Sequence, residues 1–351
     1  MASEIGYKRF LPWRNLPYRA EESLEPDDRS GRVYLHDPAL QLAAETAIVA
    51  QRPLLLSGDP GAGKSSFAPF AARNLNWRYY ELTINRRTEG RDLLWHFDAL
   101  ARLHDAQTRK SSEDVDPARY VTPGPMWWAF NRKDAMLFQQ KKSVSTGSSS
   151  HGTCEEPFSS LNGTRDTERA VVLIDEIDKA DPDVPNDLLE VFGLHRFRVD
   201  ELGQFVERTI PKPADSVSPT DRFGSLLIVI TTNQERDLPP AFIRRCVVHT
   251  LREPREASDL VTRFLQVANL HMKPLIDAIP DGATLAKQIA AKCVNLRQEA
   301  ETLRLRGPSI AEFLDALRVS LRLEISPKSK RWVEIEACVL RKRYASDFVS
   351  G

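Results

Sequence analysis

The sequence has little cysteine, no excess of charge of either sign and no long apolar run, and each absence removes a class of function. Its four cysteines, Cys154, Cys246, Cys293 and Cys338, stand far apart, with no CxxC pair. That excludes a disulfide framework, predicts no zinc site and suits isolated thiols in a reducing compartment. Lysine plus arginine and aspartate plus glutamate number 49 each, so no global field draws the chain to nucleic acid or to an anionic membrane. No stretch approaches the ~20 apolar residues of a membrane-spanning helix. The opening MASEIGYKRFLPWRN contains no apolar segment of a secretory signal, so a soluble, cytoplasmic protein is expected. A length of 351 residues suffices for a full core and favours two domains, one large and one small.

What the chain does have is PLLLSGDPGAGKSS, residues 53–66. Gly58, Asp59, Pro60, Gly61, Ala62, Gly63, Lys64 and Ser65 satisfy GxxxxGK[ST], with Ser66 following. In that pattern backbone N–H groups and a helix N-terminus wrap nucleotide phosphates. The glycines allow tight turns with no Cβ between amide and phosphate oxygen, the lysine supplies a point charge, and Ser65 supplies a hydroxyl for Mg²⁺. A glycine-rich surface turn is the plain alternative. The apolar run before the loop and the helical stretch from Ser66 to Asn74 favour the cradle.

Elsewhere the chain alternates. Residues 1–33 read as an arm, and Asp37-Pro38 opens a helix with Leu40, Ala43, Ala44, Ala47 and Ile48 on one face. Tyr79 to Ile84 reads as a strand. Glu89 to Gln107 fits an amphipathic helix, or two helical turns with a break. Its His96 and His104 belong to no carboxylate constellation and receive no catalytic role. Trp127, Trp128 and Phe130 form an aromatic cluster that packing explains, with a grip on substrate as the alternative. Residues 139–169, rich in serine and glycine at their start, are expected to be a disordered or mobile surface insertion.

Ala170 to Ile174 is apolar throughout, as in a strand buried on both faces, and ends in Asp175-Glu176. An apolar strand delivering an acidic pair about a hundred residues after a phosphate loop is a Walker B arrangement: the aspartate orders the shell of Mg²⁺ and the glutamate polarises the attacking water. Ser225 to Thr232 is a further strand, delivering Asn233, whose amide can hold the lytic water or the γ-phosphate; a simple turn asparagine is the alternative. Arg244 and Arg245 close a short helix. They are either solvated or poised to stabilise a neighbouring subunit's phosphoryl group.

Together GDPGAGKS, VVLIDEIDKAD, NDLLE, ITTNQERDLPPAFIRRC and GRDLLWHFDALARLHDAQ resemble the MoxR-like branch of the AAA+ ATPases, from about Asp37 to Ile325. The resemblance implies an α/β fold: a P-loop αβα sandwich with a central parallel sheet, residues 34–252, and a small all-helical lid, residues 253–326, before a tail, 327–351. It implies ATP and Mg²⁺ bound at subunit interfaces of a ring, usually a hexamer. Lys64 and Ser65 match Walker A, Asp175 and Glu176 match Walker B, Asn233 matches sensor 1, and Arg245 matches the arginine finger, with Arg244 as its partner. Phe197-Arg198-Val199 and Phe205-Val206 around Gly203 resemble a pre-sensor 1 hairpin. The helix around Trp95 to Leu103 stands where the helix 2 insertion would, making Trp95, His96 and Phe97 candidates to face a pore. One departure is Ala311, where relatives often carry a sensor 2 arginine; Arg304 or Arg306 are the substitutes within reach.

The resemblance implies an ATP-driven remodeller of a protein partner, often one with a von Willebrand factor A domain. The alternative is the motor of a nucleic-acid-processing or defence complex, McrB-like and possibly using GTP. A slow nucleotide-gated scaffold is a third, which the intact acidic pair opposes. Neutral net charge argues against direct nucleic-acid binding, and the basic clusters at 328–331 and 341–343 read as solvated faces.

Overall fold

Apolar runs that bury both faces need helices on either side, and that requirement shapes the first half of this molecule. The computed structural model describes residues 30–35, 37–108, 116–145, 156–210, 224–303 and 305–341. Helix α1, Pro38–Ala50, starts where Asp37 accepts from the N–H groups of Ala39 and Leu40, and stops at left-handed Gln51. Strand β1, Leu54–Gly58, leads through the glycine-rich loop to α2, Lys64–Leu75, and β2, Arg78–Thr83. Next come β3, Trp95–Phe97, α3, Ala99–Thr108, β4, Val121–Pro123, α4, Pro125–Phe130, α5, Arg132–Ser145, and α6, Ser159–Asn162. Then follow β5, Ala170–Asp175, α7, Asp183–Leu194, β6, Arg196–Val199, β7, Gln204–Glu207, β8, Leu226–Thr231, α8, Pro240–Ile243, and β9, Val247–Leu251.

The five-stranded central sheet has the order β2-β5-β8-β1-β9. Strands β2, β5, β8 and β1 pair in parallel. Every residue of β5 and β8 is buried, as the apolar runs that precede their polar last residues, Asp175 and Thr231, require. Register places Thr83 beside Asp175, Ile174 beside Ile230 and Leu56 beside Thr231. Polar residues at the carboxyl ends of neighbouring parallel strands therefore lie side by side, where open α/β sheets bind ligands.

The described residues divide into two compact units. One comprises those of Asp37–Ser57 and Ser65–Thr250; the other, those of Leu16–His36, Gly58–Lys64 and Leu251–Gly351. The second unit is helical: α9, Ala257–Ala278, α10, Gly282–Thr302, α11, Ile310–Leu323, and α12, Trp332–Ile335, followed by a π-helical turn, Glu336–Arg341. Its core centres on Phe264 and Phe313, whose rings lie 4.9 Å apart. The result is an α/β sandwich about a central parallel sheet with a helical C-terminal region, the class expected from the sequence.

Four expectations change. Of the two readings of residues 89–107, one amphipathic helix is replaced by a broken stretch: a 3₁₀ turn, Gly90–Leu93, and α3 are separated by β3, which pairs antiparallel with β4. Tertiary pairing overrides helical periodicity there, because Trp95 is 5% exposed, stacks on Phe197 and donates its indole N–H to Glu201 at 2.7 Å. Trp95 is thus a core residue rather than a pore-facing one, while His96 is exposed.

The 139–169 stretch is not a disordered insertion where it is described. Residues 139–145 continue α5, and residues 156–169 are folded against β2. Glu156 accepts from Arg78 at 2.6 Å, the Tyr80 hydroxyl at 2.6 Å and Arg132 at 2.9 Å. Asn162, fully buried, bonds to both the N–H and the carbonyl of Tyr79. A polar sequence can be core when its polar atoms are all spoken for. Residues 146–155, including Cys154, lie outside the described residues. The boundary expected after 326 moves as well, since Trp332, Ile335 and Leu340, beyond it, pack into the second core. Of the expected arm, residues 1–29 lie outside the described residues, and Leu35 packs on the second core.

Candidate functional site

In the glycine-rich loop, Gly58, Gly61 and Gly63 have φ of 139°, 80° and 90°. Side-chain-bearing residues rarely adopt such angles. At Gly61 space matters as much: a Cβ would lie 2.7 Å from the Cβ of Ser309. This close approach is one reason the loop clusters with the helical unit. Asp59, Pro60 and Gly61 are exposed, Ala62 is buried and Ser66 is exposed. The Lys64 side chain is 6% exposed, and its ammonium donates to the carbonyls of Gly58 at 2.7 Å and Asp59 at 2.9 Å. It therefore lies folded along the inside of the loop it serves.

Immediately after the loop, the Ser65 hydroxyl donates to Asp175 Oδ1 at 2.6 Å. The Thr231 hydroxyl donates to the same oxygen at 2.6 Å and accepts the Glu176 N–H at 2.8 Å. Asp175 is 5% exposed. Three strand or helix ends thus meet at one carboxylate oxygen. A serine hydroxyl beside a buried carboxylate is the hard-oxygen donor set that Mg²⁺ takes, so these residues fit that ion.

Glu176 has φ of 62°, the left-handed region, which is costly for a non-glycine residue and concentrates at functional sites. Its Oε2 pairs with the Lys179 ammonium at 2.6 Å, and its Oε1 accepts from the Asn233 amide at 3.3 Å. The hydrogen bond to Glu176 holds the Lys179 ammonium above its ordinary pKa. Asp178, 2% exposed, accepts the backbone N–H groups of Asn233 at 3.1 Å and Glu235 at 2.9 Å.

The structure therefore brings Ser65, Asp175, Glu176 and Asn233 together. Arg244 and Arg245 stand apart from that cluster, both exposed at the end of α8, with the Arg244 carbonyl accepting from Arg52 at 3.3 Å. Arg304 lies outside the described residues, and Arg306 is 63% exposed, 3.5 Å from Glu312. Ala311 is exposed in the first turn of α11. Ser309 caps that helix in a reciprocal box with Glu312, and Arg297 donates to the Pro308 carbonyl and pairs with Glu253. Sequence reasoning missed Thr231, Asp178, Lys179 and Ser309. For Asp178 and Lys179 the signal was their place within three residues of Glu176; for Thr231 and Ser309 only the fold supplies one. The expected hairpin is present as β6 and β7, with Gly203 at φ of 63° in its turn.

Among the described residues no helix is long and apolar enough to cross a membrane. The family described as the AAA domain, dynein-related subfamily, matches residues 53–246. A solved structure described as an ATPase candidate from Cytophaga hutchinsonii is 16% identical, with 92% of this chain and 88% of that chain covered and a TM-score of 0.37. No curated protein matches the chain.

Proposed function

The chain belongs to the AAA domain family, dynein-related subfamily, and from that premise we propose that it hydrolyses ATP between subunits of a ring of its own copies to remodel a protein partner, as MoxR-like relatives do. Residues 34–252 then form the nucleotide-binding domain, and the lid runs from 253 through the packed helical turn ending at Arg341. A partner with a von Willebrand factor A domain fits this reading, because the resemblance to MoxR-like ATPases implies one.

The observation that carries the reading is the 2.6 Å bond from Ser65 to Asp175, which unites the two motifs that must share one metal-bound triphosphate. In the proposed chemistry the loop amides and Lys64 hold the phosphates. Ser65 and Asp175 hold Mg²⁺, which neutralises charge on the transferring phosphoryl group when bound. Glu176 orients a water and accepts its proton, and Asn233 steers the Glu176 carboxylate. Arg245, with Arg244 beside it, lies exposed and so is available to a neighbouring copy's phosphates.

Phosphate release from ATP and from GTP, each with and without DNA, tests this reading, together with sedimentation of the full chain with ATP. Release from ATP alone, with sedimentation as a closed oligomer, is expected. Strong stimulation by DNA, or a preference for GTP, would favour a nucleic-acid-linked motor instead, and no release from an assembled ring would favour a scaffold.

A further inference from the structure

We propose that Asp178 is a positioning residue for the hydrolysis: its buried carboxylate holds the loop that carries Asn233, so that the Asn233 amide meets Glu176. The inference rests on the hydrolytic reading above and adds a residue to it. Asp178 lies on the 3₁₀ turn Ile177–Lys179, whose first flanking residue is Glu176 itself, so one short turn carries both the base and the anchor. Its Oδ2 accepts from the N–H groups of Asn233 and Glu235 at 3.1 and 2.9 Å.

Between them Gln234, at φ of 60°, donates its N–H to the Thr232 hydroxyl at 2.9 Å. Three successive amides are thus tied down, two of them by one charged oxygen. Successive N–H groups converging on an anion form a nest, and here the anion is internal. The other oxygen, Oδ1, is buried and has no hydrogen-bond partner among the described residues. A buried carboxylate with an idle oxygen is a poor stabiliser of a fold, so the hold on residues 233–235 is what this one contributes. The Asn233 side chain then reaches Glu176 Oε1 at 3.3 Å only because its backbone cannot swing away.

The test compares the full-length parent with Asp178→Ala and Asp178→Asn, measuring backbone amide exchange at residues 233–235, nucleotide affinity, and kcat and KM for ATP. Asp178→Ala is expected to speed exchange at 233–235 by about tenfold or more and to lower kcat by about ten- to a hundredfold, with nucleotide affinity within about threefold of the parent. Asp178→Asn keeps an oxygen that accepts both N–H groups and is expected to stay within about threefold of the parent in exchange and in kcat. Parent-like exchange in Asp178→Ala overturns the proposal, as does an equal loss of kcat in both variants. Should Asp178→Ala not fold, Asp178→Asn decides: retained exchange and turnover support the hold, and faster exchange or a tenfold slower kcat overturns it. A parent that releases no phosphate defeats the hydrolytic reading, while exchange at 233–235 still decides whether Asp178 holds the loop.

Discussion

The Ser65 hydroxyl donates to the Asp175 carboxylate at 2.6 Å across 110 residues of sequence. Helix α2 brings the one and strand β5 the other, and parallel pairing of β5 with β8 sets Thr231 against the same oxygen. With Asp175 so held, the neighbouring Glu176 turns into the left-handed region and faces Asn233 rather than continuing the strand.

If Glu176 activates water, Glu176→Gln removes the base and leaves the phosphate contacts intact. Turnover should fall by about two to four orders of magnitude, while ATP binding stays near that of the parent and the assembled state persists. Equal turnover by variant and parent would remove Glu176 from the chemistry.

Lys64 and Arg245 act on different phosphates if the ring reading holds, one in its own subunit and one in the next. Lys64→Ala should weaken triphosphate binding by about a hundredfold, the worth of a strong charge-assisted contact. Arg245→Ala alone should bind but not hydrolyse. A mixture of the two variants should recover part of the activity, because each supplies what its neighbour lacks. Failure to recover would place Arg245 within its own chain's chemistry or outside it.

Gly61 combines a φ of 80° with a Cβ position only 2.7 Å from Ser309. Gly61→Ala should therefore cost on the order of 1–3 kcal/mol of stability in addition to weakening nucleotide binding. Adding Ser309→Gly should return part of the stability, since it clears the clash while glycine at a helix N-cap loses only a few tenths of a kcal/mol. Thermal unfolding of the single and double variants measures both, and no recovery in the double variant would locate the cost in the backbone angle alone.

Burial pushes the thiols of Cys246 and Cys293 up to about 12, whereas Cys338 is exposed. The thiolate is the reactive form, and at pH 8 only about one part in ten thousand of either buried thiol is ionised. Brief alkylation of the native chain at pH 8, read by peptide mass spectrometry, should modify Cys338 and spare Cys246 and Cys293. Raising the pH toward 12 increases the thiolate fraction, and labelling of the buried pair at pH 8 would contradict their packing.

Much of this was legible because its causes are local. A glycine-rich turn between a buried strand and a helix, an apolar strand ending in two acids, and an N-cap before an amphipathic run are dictated by backbone sterics and hydrophobic periodicity within a dozen residues. Hence Gly58 to Ser65, Asp175 with Glu176, and α1 were readable in advance. The misreadings share one physical origin, since each concerns a segment whose state depends on a partner distant in sequence. Trp95 sits in a strand because β4 and Phe197 receive it, although its sequence neighbourhood reads as helix. Glu156 and Asn162 look like surface residues until Arg78, Tyr80 and the backbone of Tyr79 satisfy them.

The amino-acid order alone determined the glycine-rich turn from Gly58 to Ser65, the acidic end of β5, and the order in which strands and helices present them along the chain. Only the folded chain decided that Thr231 donates to the Asp175 carboxylate, that Asp178 accepts from the Asn233 N–H, and that Ser309 lies against Gly61. The reason is that hydrogen bonds and van der Waals contacts act over a few ångströms, while the residues that make these three pairs are 56, 55 and hundreds of positions apart along the chain.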